Sequence, residues 1–234
     1  PYSSREALSL KGRYMANLVK AEVLGTSAAG TDSEVRSAQI PEDSWDYAKT
    51  GTREPPYNLD ALCLFLEVST WHYRCVKAKA ISTAGLGYDF VVPEGVKEPG
   101  AEHKAILKAF FEHPNDEMTW GEILENVLTD FEALGNGYFE VVRNRLGQGP
   151  PRAIYHVPAV TMRVRRDKKG FVQQRDNRMV HFRNFGSDPA SPDSFDPRDA
   201  DKQGGRRRLL NEIIHLKNYH PRSSYYGLPD FLPA

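Results

Sequence analysis

Apolar residues recur mainly at helical spacing up to residue 134 and at every second position after it, so the pattern predicts a helical half followed by a stranded half. Residues 1–52 stand apart. They are rich in Ser, Ala, Gly and charge, with one short apolar stripe at Leu8, Leu10, Tyr14, Leu18 and Val19, and Gly25 to Ser37 has the composition of a linker. The expectation there is a flexible N-terminal arm that gains order from a neighbour.

Three helices are predicted. The first starts after Pro55-Pro56-Tyr57, where Asn58 is a good N-cap and Asp60 lies in the positive first turn. It runs over about 58–84 on the stripe Leu59, Leu62, Phe65, Leu66, Val76 and Ala80, and Ala84-Gly85-Leu86-Gly87 supplies its stop. Tyr88 to Val92 then alternates as a short strand, and a second helix covers about 101–112. The third, 119–134, is the best marked: Thr119 and Glu122 form a capping box, and Trp120, Ile123, Leu124, Val127, Leu128, Phe131 and Leu134 follow at helical spacing. Gly135-Asn136-Gly137 is a tight turn leading straight into a strand from Tyr138 to Val142.

Period two then governs Ile154 to Val157 and Val160 to Arg165, with Lys168-Lys169-Gly170 as a hairpin turn into Phe171-Val172. Met179 to Phe182 and Glu212 to Lys217 complete the set, giving an α+β chain whose antiparallel β meander spans about 138–217. Within it, 186–205 carries Pro189, Pro192, Pro197 and repeated Asp and Ser, the composition of an exposed loop.

Composition limits what such a chain does. With 234 residues and 40% apolar content it sustains a real core, and no run approaches the roughly 20 apolar residues of a membrane helix. Lys plus Arg and Asp plus Glu each total 31, so the formal charge is zero and the excess expected of a salt-driven nucleic-acid binder is missing. DNA contacts should be loose or indirect. Cys63 and Cys75, on one helix, would stand about 18 Å apart, too far for a disulfide, and read as reduced core residues.

The chemistry-bearing residues form no recognised motif. His215 and His220 have no standard ligand spacing, and His72 and His156 read as interior or edge residues with hydrogen-bond partners. Glu122, Glu125, Asp130, Glu132 and Glu140 cluster in sequence, as a two-metal nuclease would require. The capping box accounts for Glu122, however, while Glu125 and Glu132 fall on the polar helix face. No catalytic residue, cofactor-binding residue or metal ligand is assigned, and no cofactor is expected. Besides the stretch from Arg163 to Lys169, the basic run is Arg206-Arg207-Arg208, whose three arginines are candidate contacts to DNA phosphate or to an acidic neighbour.

In order along the chain stand Glu54-Pro55-Pro56-Tyr57, Ala84-Gly85-Leu86-Gly87, Leu134-Gly135-Asn136-Gly137-Tyr138 with Glu140-Val141-Val142-Arg143, His156-Val157-Pro158-Ala159 with Met162-Arg163, Val180 to Gly186, Glu212-Ile213-Ile214-His215, and Tyr225-Tyr226-Gly227-Leu228-Pro229. Together these pieces resemble the portal proteins of tailed bacteriophages, in their PBSX-like branch. The resemblance implies a non-enzymatic subunit of a head-tail connector ring, usually of twelve copies, at one capsid vertex. Such a ring nucleates capsid assembly, docks the terminase large subunit, joins a neck or tail adaptor, and passes double-stranded DNA during packaging and ejection.

The location implied is the virion, after assembly in the bacterial host cytoplasm and without a membrane. Residues 53–230 then correspond to the wing-like α+β domain, with the stem and clip mostly beyond Ala234. Two other readings stay open: a metal-dependent nucleic-acid-processing enzyme using the acidic helix, and a free-standing protein-protein adaptor.

Overall fold

A computed structural model describes residues 51–232 other than 86, 93, 96–99, 145, 148, 176, 177 and 200–206. All but the last two residues of the expected N-terminal arm lie outside that range, and Thr52 already belongs to the sheet. Helices α1 (Leu59–Val68), α2 (Thr70–Ala84), α3 (Ala101–Glu112) and α4 (Trp120–Leu134) accompany strands β1 (Thr52–Arg53), β2 (Asn136–Val142), β3 (Ala153–His156), β4 (Met162–Arg165), β5 (Gly170–Arg175), β6 (Arg178–Asn184) and β7 (Glu212–Lys217). The α+β class holds.

The long first helix is divided at Ser69. Its backbone is extended, with φ −101° and ψ 100°, its N–H closes α1 on Phe65 O at 3.0 Å, and its Oγ opens α2 by accepting from the His72 N–H at 3.3 Å. A serine hydroxyl offers the backbone an alternative partner, and the flanking β-branched Val68 and Thr70 lower the cost of leaving the helix. The apolar stripe, which runs through the break, does not register it.

Helix α4 forms where its caps demand. Glu122 Oε2 accepts from the Thr119 N–H at 2.7 Å while Thr119 Oγ1 accepts from the Glu122 N–H at 3.4 Å. At its other end Gly135 takes a left-handed conformation, φ 73°, and donates to Phe131 O at 2.9 Å. Strand β2 therefore leaves directly from the helix terminus.

Among the described residues one seven-stranded sheet has the order β1-β4-β5-β6-β7-β2-β3. The β4-β5-β6 portion is the expected meander. β7 departs from it, lying parallel to β6 through Arg183–Glu212 and Asn184–Ile213 and antiparallel to β2 from Asn136–Lys217 to Val141–Glu212. Parallel neighbours need a long crossover, which the chain between Asn184 and Glu212 supplies.

That crossover holds more structure than its composition suggests. Between residues 186 and 199 it makes short 3₁₀ turns at Pro192–Ser194 and Pro197–Asp199, and Ser194, Asp196 and Asp199 are buried. The Ser194 carbonyl accepts from the Leu210 N–H at 2.9 Å and the Arg208 carbonyl accepts from the Asp196 N–H at 2.9 Å, pinning the segment to the returning chain. Residues 200–205 of the expected loop lie outside the described residues. Tyr88 to Val92 forms no strand; Tyr88 and Phe90 instead gather on the Phe111 ring at centroid distances of 5.5 and 5.6 Å.

Adjacent residues of β2 point to opposite faces, and both faces are covered. Tyr138 joins Leu59, Leu62, Val76, Leu134, Met162, Phe171, Phe182, Ile213 and Tyr226 in the main core, while Phe139 packs with Ile123, Val127 and Ile154 in a second. Cys63 is half-buried and Cys75 exposed, both free, so Cys75 is no core residue; its neighbour Val76 is the one turned inward.

Candidate functional site

Four of the short motifs meet at the end of α4. The Gly135 carbonyl accepts from the Asn218 N–H at 2.9 Å, and the Asn218 carbonyl in turn accepts from the Leu228 N–H at 3.0 Å. A Cβ on Gly135 would stand 2.6 Å from the Leu228 carbonyl carbon, and one on Gly227 would run into the Gly135 carbonyl oxygen. Both glycines are therefore fixed by close backbone approach.

Asn136 is the polar centre of this junction. Its Oδ1 accepts from the Gly227 N–H at 2.8 Å and lies 3.0 Å from His215 Nε2, while its Nδ2 lies 2.8 Å from the Tyr57 hydroxyl and 2.9 Å from the Leu134 carbonyl. Tyr57 also contacts the Gly227 carbonyl. The end of α4, the segment that enters α1, β7 and the Tyr-Gly-Leu-Pro segment are thus joined by one buried side chain. Tyr226 extends the knot outward: its hydroxyl donates to Arg53 O at 2.6 Å and accepts from the Val164 N–H at 2.8 Å, bridging β1 and β4.

Burial sets the protonation states. His215, stacked on Tyr138 with centroids 4.4 Å apart, is pulled down to about 3 by desolvation, helped by the charge of Lys217. It is a neutral imidazole whose Nε2–H serves Asn136. Desolvation pushes the Tyr57 hydroxyl up to about 12, partly opposed by its bond from Asn136, and raises Tyr226 further. None of these groups is poised for proton transfer near neutrality.

The acidic residues of α4 and β2 go to separate partners. Glu122 is in the cap, Glu125 meets Lys77 at 2.6 Å, Glu132 pairs with Lys79, and Glu140 accepts from Asn211 at 2.6 Å. Asp130 holds His156 Nε2 at 2.9 Å and the Ala159 N–H at 2.8 Å, giving His156 its expected partner. His72 differs: its Nε2 is buried without a hydrogen-bond partner among the described residues, and its ring lies against Phe65 and Phe231 at 4.5 and 4.2 Å. Among the described residues no group of three or more His, Cys, Asp and Glu is placed to hold a metal ion.

Arg207 and Arg208 are exposed and line a recess of about 390 Å³ at the crossing of β2, β6 and β7; Arg206 lies outside the described residues. Its floor is a buried ion triad. Glu212 Oε1 meets Arg183 at 2.6 Å and Glu212 Oε2 meets Arg143 at 3.0 Å, with Arg183 only 1% and Glu212 only 2% exposed. Arg183 also donates to Leu210 O at 3.1 Å and Ser187 O at 2.6 Å.

Residues 70–231 match the family model described as phage portal protein. The chain belongs to the phage portal protein family. This portal chain is 28% identical over 248 residues to the uncharacterized protein YqbA of Bacillus subtilis strain 168 and 26% identical over 257 residues to the phage-like element PBSX protein XkdE of the same strain. Each alignment covers 92% of the portal chain but 46% and 48% of those proteins, so the chain spans about half the length of the curated relatives it matches.

Among solved structures, the neck of an empty GTA particle computed with C6 symmetry is similar at a TM-score of 0.53 and 20% identity, covering 75% of this chain and 40% of that one. The neck of the native GTA particle computed with C12 symmetry gives 0.51 and 19%, covering 76% and 41%. These likenesses show the fold. Four of the portal motifs, those holding Tyr57, Asn136, His215 and Gly227, meet at the Asn136 junction. The sequence signal available for the Arg143–Glu212–Arg183 triad was a Glu heading an apolar strand, an arginine directly after β2 and another within β6.

Proposed function

We propose that this chain is the wing-like part of a portal-ring subunit, set at one capsid vertex, through which DNA enters during packaging and leaves at ejection. The match of residues 70–231 to the portal family carries that reading. The similar solved chains come from particle necks treated with C6 and C12 symmetry, which suits a ring of twelve copies here. A ring at that vertex meets capsid protein on its rim, the terminase large subunit during packaging and a neck or tail adaptor afterwards. Assembly in the host cytoplasm and residence in the virion follow. Among the described residues no helix is long and apolar enough to cross a membrane.

The surface agrees with a lateral packing role. Helices α1 and α2 leave Leu64, Val68 and Trp71 58%, 72% and 80% exposed, and large exposed apolar side chains mark contact surfaces. In a closed ring each subunit meets a second copy on each side. Duplex DNA would slide past a chain of zero formal charge without sequence preference. Electron microscopy of the intact protein tests this: a closed ring with a central channel is expected, and Trp71→Arg should lower the ring population. A stable monomer at micromolar concentration would refute it.

A further inference from the structure

We propose that the recess between β2, β6 and β7 binds a phosphate-class oxyanion. Its wall and floor carry Arg143, Arg183, Arg207 and Arg208 against the single carboxylate of Glu212, so four guanidinium groups face one acid. That acid is already spent. One of its oxygens is held by Arg183 and the other by Arg143, and its side chain is 3% exposed. The described lining residues therefore carry a net charge of three positive, with Asp188 acting on Arg183 and Asp199 at the Arg208 N–H as the acids beside them.

The donors left over define the ligand. Arg183 uses its nitrogens on Glu212, Leu210 and Ser187, and contributes field rather than contact. Arg143 spends Nε on Glu212 and Nη1 on the Gly149 carbonyl, leaving Nη2 without a bond among the described residues. The exposed side chains of Arg207 and Arg208 form no ion pair with any described residue, while the Arg208 backbone is anchored by its N–H to Asp199 Oδ2 at 3.0 Å.

The guanidinium fork matches phosphate oxygens with paired, charge-assisted bonds. A tetrahedral dianion presents oxygens to several walls at once, whereas a carboxylate offers one planar edge. The volume of about 390 Å³ accommodates a phosphate with part of whatever carries it. Filling the hollow also relieves the mutual repulsion of the arginines; the pKa of Arg183 is lowered mainly by burial, with Glu212 and Asp188 opposing the fall and Arg143 adding to it.

Calorimetric titration of inorganic phosphate into the intact protein at low ionic strength tests the site. A saturable single-site isotherm with Kd below about 1 mM is expected. The double variant Arg207→Ala with Arg208→Ala should weaken it at least about tenfold. Arg222→Ala, an exposed arginine elsewhere, should leave it unchanged. A 5′-phosphorylated oligothymidylate and its dephosphorylated twin separate the sources: tighter binding of the phosphorylated strand assigns a nucleic-acid end, and binding of inorganic phosphate alone assigns a free anion.

No saturable binding at about 10 mM phosphate overturns the site. So does equal weakening by Arg222→Ala, which would reduce the effect to general surface charge. The double variant replaces exposed side chains, so an unchanged thermal unfolding profile separates lost binding from lost folding. Phosphate binding and ring formation are read in different assays and fail separately.

Discussion

Replacing Gly135 by alanine probes the junction where α4, β2 and the Tyr-Gly-Leu-Pro segment meet. Three costs combine. The left-handed φ of 73° costs a residue bearing a Cβ about 1–2 kcal/mol. The new methyl would sit 2.6 Å from the Leu228 carbonyl carbon and 2.7 Å from Pro229 N, both backbone atoms that cannot rotate away. Separating those segments strains the 2.9 Å bond from the Asn218 N–H to the Gly135 carbonyl, worth about 1 kcal/mol net.

The expected loss is about 3 kcal/mol, which moves a urea midpoint down by about 1 M for an m-value near 3 kcal/mol/M. Gly186→Ala is the control, because Gly186 shares the left-handed φ, 75°, yet its Cβ would meet nothing within 4 Å. That variant should cost about 1 kcal/mol, a shift of about 0.3 M. Equal midpoints for the two variants would refute the close approach as the reason for glycine at 135.

Glu212→Gln removes the carboxylate from between two arginines and leaves Arg183 buried without its counter-charge; a loss of about 3–5 kcal/mol is expected by urea unfolding. Arg143→Gln should cost less, since Arg183 and Glu212 still pair. Ser69→Ala takes away the side-chain cap of α2 and should cost about 1 kcal/mol, read from the thermal midpoint, with no effect if the two helices were one. For His215, the folded pKa near 3 lies below the unfolded value near 6.5, so the unfolded chain takes up a proton that the native site refuses. Stability from this group is complete above pH 6.5 and falls by up to about 1.4 kcal/mol per pH unit on acidification toward pH 3. A His215 imidazole resonance titrating near pH 6.5 in the folded protein would contradict it.

Local chemistry made α4 legible residue by residue. The capping box, the apolar positions and Gly135 act within a few residues of one another, so no distant contact was needed to place that helix or its exit into β2. The β4-β5-β6 hairpins were readable for the same reason, through period-two patterning and a local turn. The portal resemblance likewise rested on short motifs whose order along the chain is itself sequence information.

Tertiary contacts decided the rest. Ser69 falls between Leu66 and Val76 of the predicted stripe, and the break there depends on which backbone partners the neighbouring turns leave available. β7 has an ordinary strand pattern, and only the folded crossover sets it between β6 and β2 and parallel to the former. The insertion has two consequences that no local pattern contains. It brings Glu212 between Arg143 and Arg183, and it brings His215 to Asn136, where burial suppresses the imidazole charge. Sequence alone marked α3, α4, most of the strands and the family, because these follow from short-range patterns. The charge triad, the recess above it and the Gly135–Gly227 approach required the fold, because each joins residues separated by dozens of positions along the chain.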